Sequence, residues 1–362
     1  MRLATLAPSG WDARIAFPVQ SVGFAEAARA LGHRPLFAED DRGMALVLIR
    51  RVAIPFLAGW TARAKVYAHA CDASFLAELV DLARGLGASH VKLGDSIWGS
   101  AAEWPEDRRE VRRVAYDVLL HDLASDTEIL ARARRPIRRN IRKATAEVTV
   151  AEVRTGADLR DYLFLTEQTG RRMRTRDVPA VYPASYFEAL LREMVPRKQA
   201  VLFIARADDA PLAGGAFLIS PQRFVQIHGC STRDRALTPK QGPTAVFWHA
   251  MRRARAEGCA VFDMGAVTPT ADPAHPHYSV YEYKKLWGGR LAKIESTELV
   301  LAPWKHRFQS VVLAPMWDRL HPLYLGLFGD CPRRAVAGGS VPVAELPGAS
   351  PVLALSGHEQ QP

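Results

Sequence analysis

The stretch Ala200–Ile219, AVLFIARADDAPLAGGAFLI, reads as two apolar arms joined by a polar Asp208-Asp209 turn. β-formers on both arms and a short acidic break between them predict a β-hairpin. A second stretch repeats the plan: Pro35–Ile49, PLFAEDDRGMALVLI, places Asp40-Asp41 between two apolar arms. A helical segment precedes each hairpin. Val22 to Leu31 is Ala-rich and closed by Gly32, and Ser185 to Met194 is closed by Pro196. The chain therefore reads as one unit written twice.

Working outward, Asp158 to Gln168 carries Leu159, Tyr162, Leu163 and Leu165 at helical spacing. Thr244 to Glu257 is a further helix ended by Gly258, which leads into the strand Cys259 to Phe262. The 362 residues exceed what one ordinary domain needs, so two domains are expected. Composition is globular, with 48% hydrophobic and 24% charged residues. A net charge of +10 favours polyanionic partners such as RNA, a phosphorylated substrate or an anionic membrane face. Cys71, Cys230, Cys259 and Cys331 show no metal-ligand or redox spacing, which fits a reducing cytosol. The N-terminus lacks the apolar core of a signal peptide, and no apolar run is long enough to span a bilayer. The expected location is cytoplasmic, with peripheral contact to the inner membrane left open. From Pro332 onward the chain turns to Ala, Gly, Ser and Pro, composition expected of a disordered tail.

Three constellations carry chemistry. The first is Ala131–Ala144, ARARRPIRRNIRKA, a basic run without an acid. Pro136 suits the first turn of a helix. Arg135, Arg138, Arg139 and Arg142 then share one face, and Ala133, Ile137, Ile141 and Ala144 the other. That predicts a docked helix with a polyanion-binding face, although a solvated charged face has the same pattern. The second is the cluster Arg171, Arg172 and Arg176, with Tyr182 and Tyr186-Phe187 following. Guanidinium forks suit phosphate oxygens, while an exposed basic loop reads alike. The third is YEYKKLWGG, Tyr281 to Gly289, preceded by the strand and turn VFDMG, Val261 to Gly265. Tyr283 and Trp287, four apart, share a helix face, Lys284 lies beside them, and Gly288-Gly289 permits a tight turn or close approach to a ligand. Two core aromatics and two solvated lysines give the same letters. His275 and His277 stand without a third ligand at recognisable spacing and read as loop.

The third constellation resembles the C-terminal fingerprint of the Fem-type aminoacyltransferases, and the Arg-x-x-Ile-Arg-Lys-Ala element resembles the segment joining their halves. Helix, hairpin, then strand and helix is the order of a GNAT domain. The resemblance implies an α/β fold (α+β in organisation) of two tandem GNAT-like domains, each a mixed sheet flanked by helices. The boundaries expected are 1–130 and 147–302 for the domains, 131–146 for a connecting helix, 303–331 for an apolar, aromatic extension and 332–362 for the tail. It implies N-acyl transfer from aminoacyl-tRNA to an amine of a peptidoglycan precursor, with no metal or prosthetic group. Lys284 would be the functional lysine, and Arg176, with Arg171 and Arg172 competing, would hold precursor phosphate. Asp263, Gly265, Tyr283, Trp287, Gly288 and Gly289 would complete the substrate site. The sequence departs from the pattern in three places. Ala28 stands where a phosphate-binding lysine is usual, with Arg29 one position off. The long helical arm tied to tRNA contact in some members has no room. The usual Asp-x-Gly-Gly is Asp263 to Ala266. Acyl-CoA is the competing donor, in polysaccharide or natural-product assembly. Its pyrophosphate turn would fall before Thr244, where only Gly242 is present and Pro243 removes an amide donor. A non-catalytic GNAT pair binding polyanions is the third reading.

Overall fold

The computed structural model describes residues 1–51, 62–69, 71–93, 111–174, 182–275 and 277–308. Strands are β1 (Arg2–Ala4), β2 (Arg34–Asp40), β3 (Gly43–Arg51), β4 (Ala62–His69), β5 (Ala88–Leu93), β6 (Val111–Asp122), β7 (Thr149–Glu152), β8 (Ala200–Ala207), β9 (Ala210–Ile219), β10 (Arg223–Ser231), β11 (Val261–Val267) and β12 (Arg290–Val300). Helices are α1 (Trp11–Arg14), α2 (Val22–Ala30), α3 (Ala73–Gly85), α4 (Asp126–Arg132), α5 (Arg135–Glu147), α6 (Gly156–Arg174), α7 (Ala184–Ala189), α8 (Gly242–Ala256), α9 (Tyr278–Lys285) and α10 (Pro303–Phe308).

Both expected hairpins form. Asp208 and Asp209 have φ of 49° and 63°, the positive-φ pair that matches a two-residue turn to strand twist. In the first hairpin Asp40 ends β2, and its carboxylate accepts the Arg42 amide across the turn. A helix carries the chain from β4 to a parallel β5, and another from β10 to a parallel β11. Each half thus runs edge strand, helix, hairpin, third strand, helix, parallel strand, final strand.

The two halves share one twelve-stranded sheet in the order β1-β2-β3-β4-β5-β12-β6-β11-β10-β9-β8-β7. The final strands are exchanged. β6 leaves its own half to pair with β11, and β12 returns to pair with β5. They meet antiparallel at the centre, from Arg290 opposite Leu120 to Leu299 opposite Val111. The cores record the exchange. Leu119 of β6 is buried with Phe217, Phe224, Phe247, Phe262 and Trp287 of the second half. Leu299 of β12 is buried with Phe75, Leu79 and Val91 of the first.

A third core joins the halves directly, bringing Trp11, Phe37 and Tyr67 together with Tyr162, Phe187 and Met194. Gly23 makes this contact possible, since a Cβ there would stand 2.8 Å from Met194 Cγ. On the basic helix α5, Ile137, Ile141 and Ala144 are buried and Arg135, Arg138, Arg139 and Arg142 are exposed, the two-faced arrangement its periodicity predicts. Arg138 turns back to donate to the Ala133 carbonyl at 2.9 Å, capping the end of α4. No helix among the described residues is long and apolar enough to cross a membrane.

Candidate functional site

β10 and β11 pair in parallel only from Arg223 opposite Val261 to Val225 opposite Asp263. Just past that point both strands are irregular. β10 shifts register between Gln226 and His228 against β9, and β11 between Asp263 and Ala266 against β6. Three steps along β11 there oppose two along β6, a one-residue bulge. Gly265 sits in it at φ +77°, and a Cβ would come 2.9 Å from the Gln226 carbonyl oxygen. The parallel ladder between the two strands therefore ends where the sequence supplies glycine and two bulges.

Lys284, on α9, locks this geometry. Its ammonium donates to the Met264 carbonyl and lies 3.4 Å from that of Ala266, the two residues flanking Gly265. Only 9% of Lys284 is exposed. Burial depresses its pKa from 10.5 to about 8, against the opposing pull of the Asp263 carboxylate. Asp263 is fully buried, and burial raises its carboxyl above the ordinary range. Its Oδ1 accepts the Gly265 amide at 2.7 Å. Its Oδ2 lies 3.6 Å from Arg223 Nη1, an ion pair too long to be a hydrogen bond.

The bulge lines a cavity of about 460 Å³ built by both halves. Gln226, Asp263, Gly265, Ala266, Tyr182 and Tyr186 line it from the second half, and His33, Lys65 and Tyr67 from the first. The volume lies in the range of about 300–1,000 Å³ typical of small-molecule sites. Burial, reinforced by Arg50 and Lys65, lowers His33 to about 4, so the cavity wall holds a neutral imidazole as well as an ammonium. Ala28 lines the cavity and Arg29 does not: Arg29 pairs with Glu26 and donates to the Thr5 carbonyl. Lys65, approaching from β4, places a cation in the cavity wall that also holds Ala28. Sequence reading misses Lys65, because its neighbourhood shows only a strand alternation and the contact comes from pairing.

The other site residues distribute as follows. Tyr283 and Trp287 converge on Phe247 of α8, with ring centroids 6.0 and 5.9 Å away, and the Tyr283 hydroxyl lies 3.2 Å from Thr244 Oγ1. Their shared face is thus a packing face that fixes α9 and aims Lys284. Gly288 has φ +78°, and a Cβ there would meet the Arg132 carbonyl oxygen at 2.1 Å. At Gly289 it would meet His121 Nε2 at 2.5 Å. Both glycines lie against the chain's own α4 and β6. Lys285 is exposed and pairs with Glu282.

Arg171 is exposed and pairs with Glu167 at 2.7 Å. Arg172 lines a second cavity of about 240 Å³ with Ser231, Thr232, Arg233, Thr238, Gly242 and Pro243, at the N-terminus of α8. Arg176 lies outside the described residues, as does the extension beyond Phe308. His275 and His277 form a turn entering α9, with the His277 amide donating to His275 Nδ1 at 3.2 Å.

Residues 131–285 match the model of the GNAT acetyltransferase domain. No curated protein matches the sequence. Among solved structures, FemX aligns over 86% of this chain and all of its own, with a TM-score of 0.62 and 15% identity. L-PGS from Bacillus licheniformis covers 81% of this chain and 91% of itself, with a TM-score of 0.52 and 10% identity. The C-terminal domain of a putative lysylphosphatidylglycerol synthetase from Agrobacterium fabrum covers 77% and 88%, with a TM-score of 0.51 and 14% identity. At these identities the likeness is one of fold: two GNAT-like halves in tandem, as the sequence order implies.

Proposed function

We propose that this chain, on the GNAT fold it shares with FemX, is an N-acyltransferase of the Fem type. It moves an aminoacyl group from aminoacyl-tRNA to a primary amine on a phosphate-bearing cell-envelope precursor. The observation that carries the reading is the end of β10–β11 pairing at Asp263, beside a cavity to which both halves contribute. Where the ladder ends, peptide groups not already taken by Lys284 or Asp263 can hold an ester and an amine in line.

The chemistry needs little more. A neutral amine attacks the ester carbonyl, the tRNA hydroxyl leaves, and the amine's proton passes to solvent or to the leaving oxygen. The half-apolar cavity favours the uncharged amine. Lys284 acts from behind the wall, fixing the Met264–Ala266 bulge and placing a positive charge near the carbonyl on which negative charge develops. Lys65 takes the place of the lysine absent at position 28 and meets acceptor phosphate. Arg176, with Arg171 and Arg172, remains the assignment for the same anion. Arg135, Arg139 and Arg142 offer tRNA a guanidinium face. Exposed Trp304, beside Lys305 and Arg307, suits peripheral contact with the inner membrane, where lipid-linked precursors reside.

One observation favours acyl-CoA as donor. The α8 N-terminal cavity holds Arg172 and Arg233 where a helix end attracts pyrophosphate. Against it, Pro243 removes one amide donor in the first turn. Native mass spectrometry of the full chain with charged tRNA, acetyl-CoA and a UDP-linked muropeptide decides. Retention of charged tRNA and muropeptide supports the proposal. Retention of acetyl-CoA alone replaces the donor, and charged and uncharged tRNA bound equally with no transfer returns the chain to a polyanion-binding pair.

A further inference from the structure

His90, Glu298 and His306 are scattered in sequence and meet at one point in the fold. In the β5–β12 ladder Val300 stands opposite His90 and Glu298 opposite Lys92. Residues two apart on a strand share a face, so Glu298 and His90 are diagonal neighbours on one side of the sheet. The chain then leaves β12 through Leu301 and Ala302, whose amides both donate to the Ser89 carbonyl, at 2.9 and 3.0 Å. That clamp lays α10 over β5 and brings in His306.

The arrangement asks for a cation. The Ser89 hydroxyl donates to the Ala62 carbonyl at 3.2 Å and lies 3.0 Å from His90 Nδ1. A hydroxyl has one hydrogen, so when that proton goes to Ala62 the oxygen accepts from His90 Nδ1–H, the tautomer that metal binding through Nε2 requires. In the neutral ring the lone pair is then on Nε2. This Nε2 faces Glu298 Oε1 at 3.5 Å, and His306 Nε2 faces the same oxygen at 3.5 Å. Both are long for hydrogen bonds. They are close to the separation of about 3.4 Å between ligand atoms of a tetrahedral ion with bonds of about 2.1 Å. All three ligand atoms lie within 4.8 Å of one another. The side chains are 12%, 16% and 18% exposed, enough for an ion to enter and leave a fourth position to water.

We propose that His90, Glu298 and His306 bind a divalent first-row metal ion, Zn²⁺ foremost, at the junction of β5, β12 and α10. Two imidazoles and one carboxylate suit Zn²⁺ over Ca²⁺ or Mg²⁺, which take oxygen ligands. Ser89 supplies the outer hydrogen bond that fixes the tautomer of one ligand. The Cα partners of His90 and Glu298, Arg63 of β4 and Lys92 of β5, are basic, which moderates affinity for a dication. None of the three ligands lines the acyl-transfer cavity, so the site ties α10 to the sheet.

The test uses the full chain, stripped of metal with EDTA. Zn²⁺ alone is titrated by calorimetry, and Co²⁺ alone reports coordination through its visible spectrum. One equivalent should bind, with the strong bands of a four-coordinate site for Co²⁺. His306→Ala and Glu298→Gln should each weaken Zn²⁺ binding by at least about 100-fold, since even outer partners cost about 10–100-fold. The double variant His275→Ala/His277→Ala should bind as wild type. His306→Asp, which keeps a ligand atom, should retain binding and guards against loss of fold in the alanine variant. Absence of saturable one-equivalent binding by the wild-type chain overturns the proposal, as does unchanged affinity in both His306→Ala and Glu298→Gln.

Discussion

Replacing Lys284 by Met separates a functional charge from a structural one, because the structure sets its two stability terms against each other. The ammonium donates to the Met264 carbonyl, a charge-assisted hydrogen bond worth about 1.5–3 kcal/mol. Against this stands the cost of burying it. The fall in pKa from 10.5 to about 8 converts, at about 1.36 kcal/mol per pH unit, to about 3 kcal/mol. Lys284→Met removes both, so stability at pH 7 should change by no more than about 2 kcal/mol. Acyl transfer should fall by on the order of 100-fold. Lys285→Met should change neither. The folded-state pKa lies below the unfolded one, so from pH 8 to 10.5 the unfolded chain holds a proton that the folded chain has released. Stability of the wild-type chain should therefore rise through this window relative to Lys284→Met, by up to about 3 kcal/mol. Its activity should decline above about pH 8, where the charge disappears. Urea unfolding followed by circular dichroism, run beside single-turnover transfer, measures both. Full activity in Lys284→Met refutes the role. So does a loss of more than about 4 kcal/mol with activity simply tracking the folded fraction.

Lys65→Gln should raise KM for the phosphate-bearing acceptor by about tenfold with little change in kcat, and equal loss in both parameters would remove Lys65 from ground-state binding. Gly265→Ala must place a Cβ against the Gln226 carbonyl at φ +77°, and should cost at least about 2 kcal/mol in chemical denaturation. A neutral result there would mean that the bulge relaxes freely. Arg135, Arg139 and Arg142 replaced together by Gln should flatten the slope of log K against log salt for tRNA, by about 0.9 or less for each phosphate no longer neutralised. An unchanged slope would make the arginine face plain solvated surface.

What the sequence discloses follows from how each feature is encoded. The Asp208-Asp209 turn, the two faces of α5 and the aromatic pair around Lys284 are written in residues a few positions apart, and local periodicity reads them. Ala28 stands out by its place in a pattern, and the structure puts it in the cavity wall. Lys65 is invisible because nothing near it in sequence marks a β4 side chain that shares a cavity wall with β10 and β11 residues of the other half. His90 and Glu298 are invisible for the same reason, since only the β5–β12 pairing sets them side by side. The glycines at 288 and 289 carry a legible demand for close approach. Whether the approaching atom belongs to a ligand or to Arg132 and His121 depends on tertiary placement.

The exchange of β6 and β12 also constrains how the molecule comes into being. β5 ends at Leu93, and the strand that completes its edge begins at Arg290. On the ribosome the first half waits for about 200 further residues before its sheet can close, with one edge open to mispairing meanwhile. Contacts of such long sequence separation slow folding. Nor could a gene fragment encoding either half yield a finished module, since each would lack one strand and offer a surplus one. Two fragments divided between β6 and β7 would instead be expected to find each other and refold together. The duplicated plan thus became a single indivisible body, with a cavity lined by both halves on the seam.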